Sequence, residues 1–164
     1  MAAVRLRPAT PADLVAINAV IERAVMTWQL PERVKRLAMP SYRYKPHDLE
    51  HLKLVVAENG EHGVIGVAAW EPANARDLPA GQTGLLLHGL YVDPNHQRHG
   101  IGRQLLAAAV DAARDQGNDG VLIKAQADAE PFFLAQGLQH IESVDPGRDY
   151  PHRYWADVNK SLQQ

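Results

Sequence analysis

The stretch from Leu85 to Ala113 constrains the fold of this 164-residue chain more than any other. An apolar run over residues 85–92 has the length and composition of a buried strand, and it stops at Asp93-Pro94. A short polar turn follows, then Gly100 and Gly102 spaced by one residue. The helical spacing of Arg103, Leu105, Leu106, Ala109, Val110 and Ala113 begins at once. The order is strand, glycine loop, helix start. A helix start offers backbone N–H groups that the helix cannot satisfy, together with the positive end of its dipole. Glycines remove the side chains that would hold a phosphate away from those donors. The segment therefore predicts a phosphate or pyrophosphate ligand; the alternative is a glycine-rich strand–helix turn with no ligand.

Two common glycine loops do not fit. There is no Gly-x-x-x-x-Gly-Lys-Ser/Thr, and position 105 is Leu, which leaves the dinucleotide fingerprint incomplete. The run Gln97-Arg98-His99-Gly100-Ile101-Gly102 instead resembles the acyl-CoA loop of the GNAT superfamily of N-acetyltransferases, Gln/Arg-x-x-Gly-x-Gly/Ala. Its flanks match as well, with Tyr91-Val92-Asp93-Pro94 before it and Leu105-Leu106 after it. Further on, residues 126–138 resemble the family's Asn-x-x-Ala-x-x-Phe-Tyr-x-x-x-Gly-Phe run. Ala129, Phe132 and Gly137 align, while Gln126, Phe133 and Leu138 replace the usual Asn, Tyr and Phe. The resemblance covers essentially the whole chain and is most specific over residues 85–138.

Composition sets bounds. The length suits one domain over residues 1–164 that can bury a core without staples. No cysteine is present, which removes disulfides and thiol nucleophiles and favours direct transfer over a Cys-linked acyl-enzyme. The start has no signal-peptide core and no apolar run reaches membrane-spanning length, so a cytoplasmic chain without membrane contact is expected. A net charge of −2 gives no general attraction to nucleic acid.

Along the chain, residues 4–7 alternate as a strand, and Thr10-Pro11-Ala12-Asp13 reads as a helix start before Leu14, Ile17, Ala19, Ile21 and Ala24. Short helices are expected in 31–38 and 47–52, with Pro31, Pro40 and Pro46 as punctuation. Strands are expected at 52–57 and 64–70, with a polar loop over 72–84. After the strand at 85–92 comes a helix over 102–116 stopped by Gly117, then a strand at 121–125. A short helix capped by Asp128 and ending at Gly137 precedes terminal strands at 138–144 and 153–159. The order is mixed α/β. The resemblance implies a GNAT-like fold, a central, mostly antiparallel sheet of six or seven strands with about four helices.

The resemblance also assigns roles. Acetyl-CoA is the implied donor, held by backbone groups at Leu90, Tyr91 and Val92 and by the loop Gln97 to Arg103. A backbone N–H near Tyr91 or Val92 serves the oxyanion. Arg98, His99 and Arg103 can add charge-assisted contacts to phosphate. Gln126 and Phe133 border the donor. His88 is a base candidate, as a histidine in an otherwise apolar strand with Gly89 beside it hinting at a bulge or a close ligand approach. His152 is the second, from a Pro-His found in some members. Both can equally be structural or loop residues.

Phe133 stands where the family's proton-donating Tyr is usual. That leaves water, another Tyr (Tyr91, Tyr150 or Tyr154), or a slow or inactive protein. Trp28, Tyr42, Tyr44 and Tyr150 fall at the variable substrate wall, where exposed aromatics would favour an apolar or cationic amine; ordinary packing is the alternative. His96-x-x-His99 is a poor metal motif on a loop, and His47, His51, His62 and His140 read as surface residues, so no metal is expected. The leading function is acetyl-CoA-dependent N-acetylation of a small-molecule or peptide primary amine. The rival is a catalytically weak or inactive acyl-CoA-binding sensor or scaffold. A homodimer is suggested by the resemblance alone.

Overall fold

The computed structural model describes residues 3–125, 127–142 and 152–162. The strands are β1 (Val4–Pro8), β2 (Lys53–Asn59), β3 (Gly63–Pro72), β4 (Gly84–Val92), β5 (Gly120–Lys124), β6 (Gln139–His140) and β7 (Arg153–Asp157). The helices are α1 (Leu14–Val25), α2 (Glu32–Tyr42), α3 (Ile101–Asp115) and α4 (Glu130–Ala135). The seven strands have the order β1-β2-β3-β4-β5-β7-β6. β1 with β2, β5 with β7, and β6 with β7 run antiparallel, whereas β4 with β5 is parallel. The expected mixed α/β architecture is therefore present. No helix among the described residues is long and apolar enough to cross a membrane.

Local expectations differ from the structure in three places. Pro40 lies inside α2 instead of ending it; it sits in the last turn, where little helix remains to break. Asp128 lies within a short 3-10 turn, and α4 starts from Ala129. Of the strand expected over 138–144, Gln139–His140 is extended, and residues 143–144 lie outside the described residues.

The chain forms two compact units. The first comprises Met1–Ala69 and Gly89–Leu106. Ile17, Ile21 and Val25 of α1 lie one or two helical turns apart and are fully buried together with Val56 and Val67. Arg7 closes the sheet edge onto the start of α1. It donates twice to Asp13, at 2.8 Å each, and its Nε lies 3.0 Å from Glu58. The Asp13 carboxyl also accepts from the Thr10 N–H at 2.8 Å, and the Arg7 guanidinium, followed by the Thr10 donors, holds it well below the usual carboxylate range.

The second unit comprises Trp70–His88 and Ala107–Gln164. Its β4 segment pairs with β5, Gly84 opposite Gly120 through Leu87 opposite Ile123. Trp155 of β7 lies over both glycines: a Cβ at Gly120 would sit 2.6 Å from Trp155 Cε2. Arg153 is fully buried, donating to the carbonyl of Glu142 at 2.9 Å and to that of Asp77.

Gly89 is required by close approach. In the first unit a Cβ there would collide with the Tyr44 hydroxyl and lie 2.8 Å from Tyr91 Cε2. Tyr44 is itself buried, and Asn18 binds both its N–H, at 2.9 Å, and its carbonyl, at 2.8 Å, so the ring has little room to retreat. Gly89→Ala is expected to destabilise the protein by about 1–3 kcal/mol, the usual range for overpacking. Adding Tyr44→Phe should recover part of that loss in a denaturant double-mutant cycle.

Candidate active site

The loop after β4 is organised by Asp93. Its side chain is buried, and both carboxylate oxygens are used. Oδ2 accepts from Arg23 Nε at 3.0 Å and Nη2 at 2.6 Å; Oδ1 accepts from the Asn95 N–H at 3.0 Å, capping the 3-10 turn Pro94–His96. The backbone is tied as firmly. The Asp93 N–H donates to the Ile65 carbonyl and the His96 N–H donates to the Asp93 carbonyl, both at 2.8 Å. Burial pushes this carboxyl up, but the Asn95 N–H and Arg23 outweigh it and hold it below its ordinary value. The turn is thereby fixed before the glycines begin.

The loop from Gln97 to Gly100 is exposed, and two of its residues have left-handed backbone, Arg98 at φ 68° and Gly100 at φ 77°. Gly100 adopts this at no steric cost. Arg98 does not, and an L-residue held there stores on the order of 1–2 kcal/mol. A left-handed residue followed by helical Ile101 makes successive N–H groups converge, the concave arrangement that binds anions. The first helical bond runs from the Gln104 N–H to the Gly100 carbonyl at 3.0 Å, so the N–H groups of Ile101 and Gly102 precede it at the open end of α3. A Cβ built on Gly100 meets nothing within 4 Å, so the positive φ and not crowding is what calls for glycine there.

Tertiary packing holds the helix start in place. Ile101, Leu105 and Leu106 are buried. A Cβ on Gly66 of β3 would lie 3.1 Å from Leu105 Cδ1 and 3.2 Å from Ile101 Cγ2, so glycine at 66 lets α3 settle against the strand. Arg103 is half-buried on α3. Gln97 reaches back to the Val92 carbonyl, at 3.5 Å, the outer limit of a hydrogen bond.

On β4, side chains alternate between the two faces. His88, Leu90 and Val92 share one face, with His88 exposed; Gly89 and Tyr91 share the other. On that second face Tyr91 joins a core cluster with Trp28, Tyr42 and buried Tyr44, Trp28 and Tyr42 meeting edge to face at 5.3 Å. Three of the four aromatics expected at the substrate wall are thus gathered in one cluster. Tyr44 serves packing rather than an exposed surface, whereas Trp28 and Tyr42 are half-buried. Burial, with Tyr42 nearby, raises the Tyr91 hydroxyl far above its ordinary value, so it stays protonated at neutral pH.

The second unit carries a separate polar group. His152 Nδ1 lies 2.7 Å from Glu130 Oε2, both side chains about one-third exposed. The Ala125 N–H donates to the His152 carbonyl at 2.8 Å and fixes the backbone. A carboxylate at Nδ1 keeps a proton on that nitrogen and leaves Nε2 as the acceptor. Beside this pair Tyr154 is fully buried, stacked on Phe133 with centroids 5.8 Å apart. Burial, followed by Glu130, pushes its hydroxyl up to about 12. Phe133 is buried between Tyr154 and Phe132 and fills apolar space. Gln126 and Tyr150 lie outside the described residues.

Sequence reading missed Asp93, Arg23 and Glu130 as organisers. Asp93 had a signal, since Asp-Pro before a turn is a capping pattern. Glu130 had none, because an acid in the first turn of a short helix is commonplace.

Comparison with known proteins places these features in a family. The model of the "Acetyltransferase (GNAT) family" matches residues 22–138. N-acetyltransferase 8F1 of Rattus norvegicus is 34% identical over 92 residues, 54% of this chain and 40% of that protein. The L-amino acid N-acyltransferase MnaT of Escherichia coli is 32% identical over 119 residues, 68% of this chain and 64% of that protein. The chain thus spans less than half the length of the rat relative and just under two thirds of the bacterial one. Among solved structures, PaiA N-acetyltransferase of Thermoplasma acidophilum in complex with coenzyme A is similar with a TM-score of 0.72, 15% identity and coverage of 94% of this chain and 99% of that one. A GNAT-family acetyltransferase from Desulfovibrio desulfuricans gives a TM-score of 0.70 at 22% identity, covering 95% and 99%.

Two substitutions test the loop. Asp93→Ala should cost about 1–2 kcal/mol, the value of a lost cap, and weaken CoA binding measured by calorimetry. Its carboxyl is depressed in the folded state, so its contribution is complete above about pH 4 and lost as pH falls through the folded value. The stability difference between wild type and Asp93→Ala should therefore shrink in acid. Gly100→Ala forces a Cβ into left-handed backbone at a cost of about 1–2 kcal/mol, so stability in denaturant and CoA affinity by calorimetry should both fall.

Proposed function

The chain belongs to the acetyltransferase (GNAT) family, and from that premise we propose that it is an acetyl-CoA-dependent N-acetyltransferase, carried by one domain over residues 1–164, whose acceptor is a primary amine. The observation that carries the reading is the left-handed Gly100 directly before the N–H groups that open α3. The donor's phosphates would be held by N–H groups of the loop Gln97 to Arg103, and its acyl arm by the backbone of Leu90 to Val92. The neighbours crystallised with coenzyme A or acetyl-CoA support the choice of donor.

The amine nitrogen attacks the thioester carbonyl. A carbon–nitrogen bond forms, the carbon–sulfur bond breaks, and the amine gives up a proton. The base candidates for that proton are His152, whose Nδ1 lies 2.7 Å from Glu130 Oε2 as in base–orienter pairs, and His88. His88 is exposed and remains the comparison base. The thiolate, with a thiol value of about 8.5, is a leaving group that water alone can protonate. Tyr154, pushed up to about 12, is a far weaker acid than that thiol and is a poor donor to it. The Escherichia coli relative's name makes the α-amino group of an L-amino acid the first acceptor class to try.

Thiol release from acetyl-CoA over a panel of amino acids, small amines and peptides tests the proposal. His152→Ala should lower kcat by about 10²–10³, and Glu130→Gln should lower it by less. An equal collapse in His88→Ala alone would move the base to His88. The second reading, an acyl-CoA-binding domain without catalysis, is motivated by Phe133; tight CoA binding with no turnover over the panel would favour it.

A further inference from the structure

We propose that His47, Glu50 and His51 form a surface site for a divalent transition-metal ion of the zinc, nickel or copper class. The three residues occupy one 3-10 turn, Pro46–Glu50, and the residue that ends it. One donor atom from each lies within 4.8 Å of the other two, the cluster of that kind found among the described residues. His47 Nδ1 is 3.5 Å from Glu50 Oε2, and the two imidazole rings lie edge to face with centroids 4.5 Å apart. Two ligands of a tetrahedral ion with bonds of about 2.1 Å stand about 3.4 Å apart, so the His47–Glu50 pair already has the spacing and rotation of the His51 side chain supplies the remainder.

The frame beneath these side chains is fixed. Pro46 sets the first position of the turn, Asp48 accepts from the Lys45 N–H at 2.7 Å, and the Leu52 N–H donates to the Asp48 carbonyl at 2.8 Å. Leu49 and Leu52 pack against the core of the first unit, which leaves His47, Glu50 and His51 exposed. The ion would therefore order three side chains and no backbone, and that lowers the entropy cost of binding. Two imidazoles and one carboxylate suit zinc, nickel or copper; magnesium and calcium prefer oxygen donors alone. Water fills the remaining positions.

The ion's role is structural. The turn starts two residues after Tyr44, whose hydroxyl meets the backbone at Gly89 and whose N–H and carbonyl are held by Asn18. An ion bound only to the folded turn stabilises that segment by mass action. The expectation from sequence that His47 and His51 are surface residues is correct for exposure; the turn geometry adds what one-dimensional spacing did not single out.

The test uses the tag-free full chain and zinc chloride alone. Calorimetry should show one zinc per chain at micromolar concentration, with a rise of a few degrees in melting temperature. His47→Ala and His51→Ala should each weaken binding at least tenfold and abolish the thermal rise, and Glu50→Gln should weaken it less. These exposed substitutions should leave the zinc-free melting temperature unchanged, so lost binding is separable from lost folding. No zinc binding, or binding that survives in the His47→Ala/His51→Ala variant and disappears instead when His62 and His96 are replaced, overturns the proposal.

Discussion

The arrangement of the loop after β4 depends on one buried carboxylate. Asp93 ends β4, caps the turn that follows and takes two bonds from Arg23, seventy residues earlier in the chain. Buried carboxylates are tolerable only when their oxygens are satisfied, and here each oxygen has a partner of a different origin, one a helix side chain and the other the loop's own backbone. The loop is therefore connected to α1 and, through the Ile65 carbonyl, to β3 before it reaches the glycines. A flexible glycine loop alone would have to lose its conformational entropy on binding; one fixed at its entrance has already lost part of it.

Glycine serves two physical purposes in this protein. At Gly100 it supplies a left-handed backbone, which neighbouring Arg98 shares at an energetic cost. At Gly89 and Gly120 it supplies the absence of a Cβ, where Tyr44 and Trp155 come too near for one, and at Gly66 it gives Leu105 room that a Cβ would make tight. The first use concerns the ligand and the second concerns packing. The two cannot be told apart from the letter Gly: the sequence suggests a bulge or a close ligand approach at Gly89, and the structure brings the Tyr44 side chain there instead.

The two units hold different kinds of chemistry. The first presents backbone N–H groups at the start of α3. The second presents side chains, Glu130 against His152, beside an aromatic stack of Phe133 and Tyr154. Phe133 stands where the resemblance puts a tyrosine; it is buried against Tyr154, whose hydroxyl burial pushes up to about 12.

The sequence alone determined the elements and the loop, because both are written in local pattern. The 3.6-residue spacing in α1 and α3, the apolar run of β4 and the two closely spaced glycines each carry their own physical reason within a dozen residues. Long-range meetings were decided only in three dimensions: Arg23 with Asp93, Tyr44 with Gly89, and Glu130 with His152 across twenty-two residues. Local pattern has no term for such pairs, since burial and desolvation are properties of the assembled core. Tyr44, for which the sequence leaves both a substrate wall and ordinary packing open, is a core residue for that reason, and His47 and His51 came together with Glu50 because a proline-started turn faced them outward while Leu49 and Leu52 went in.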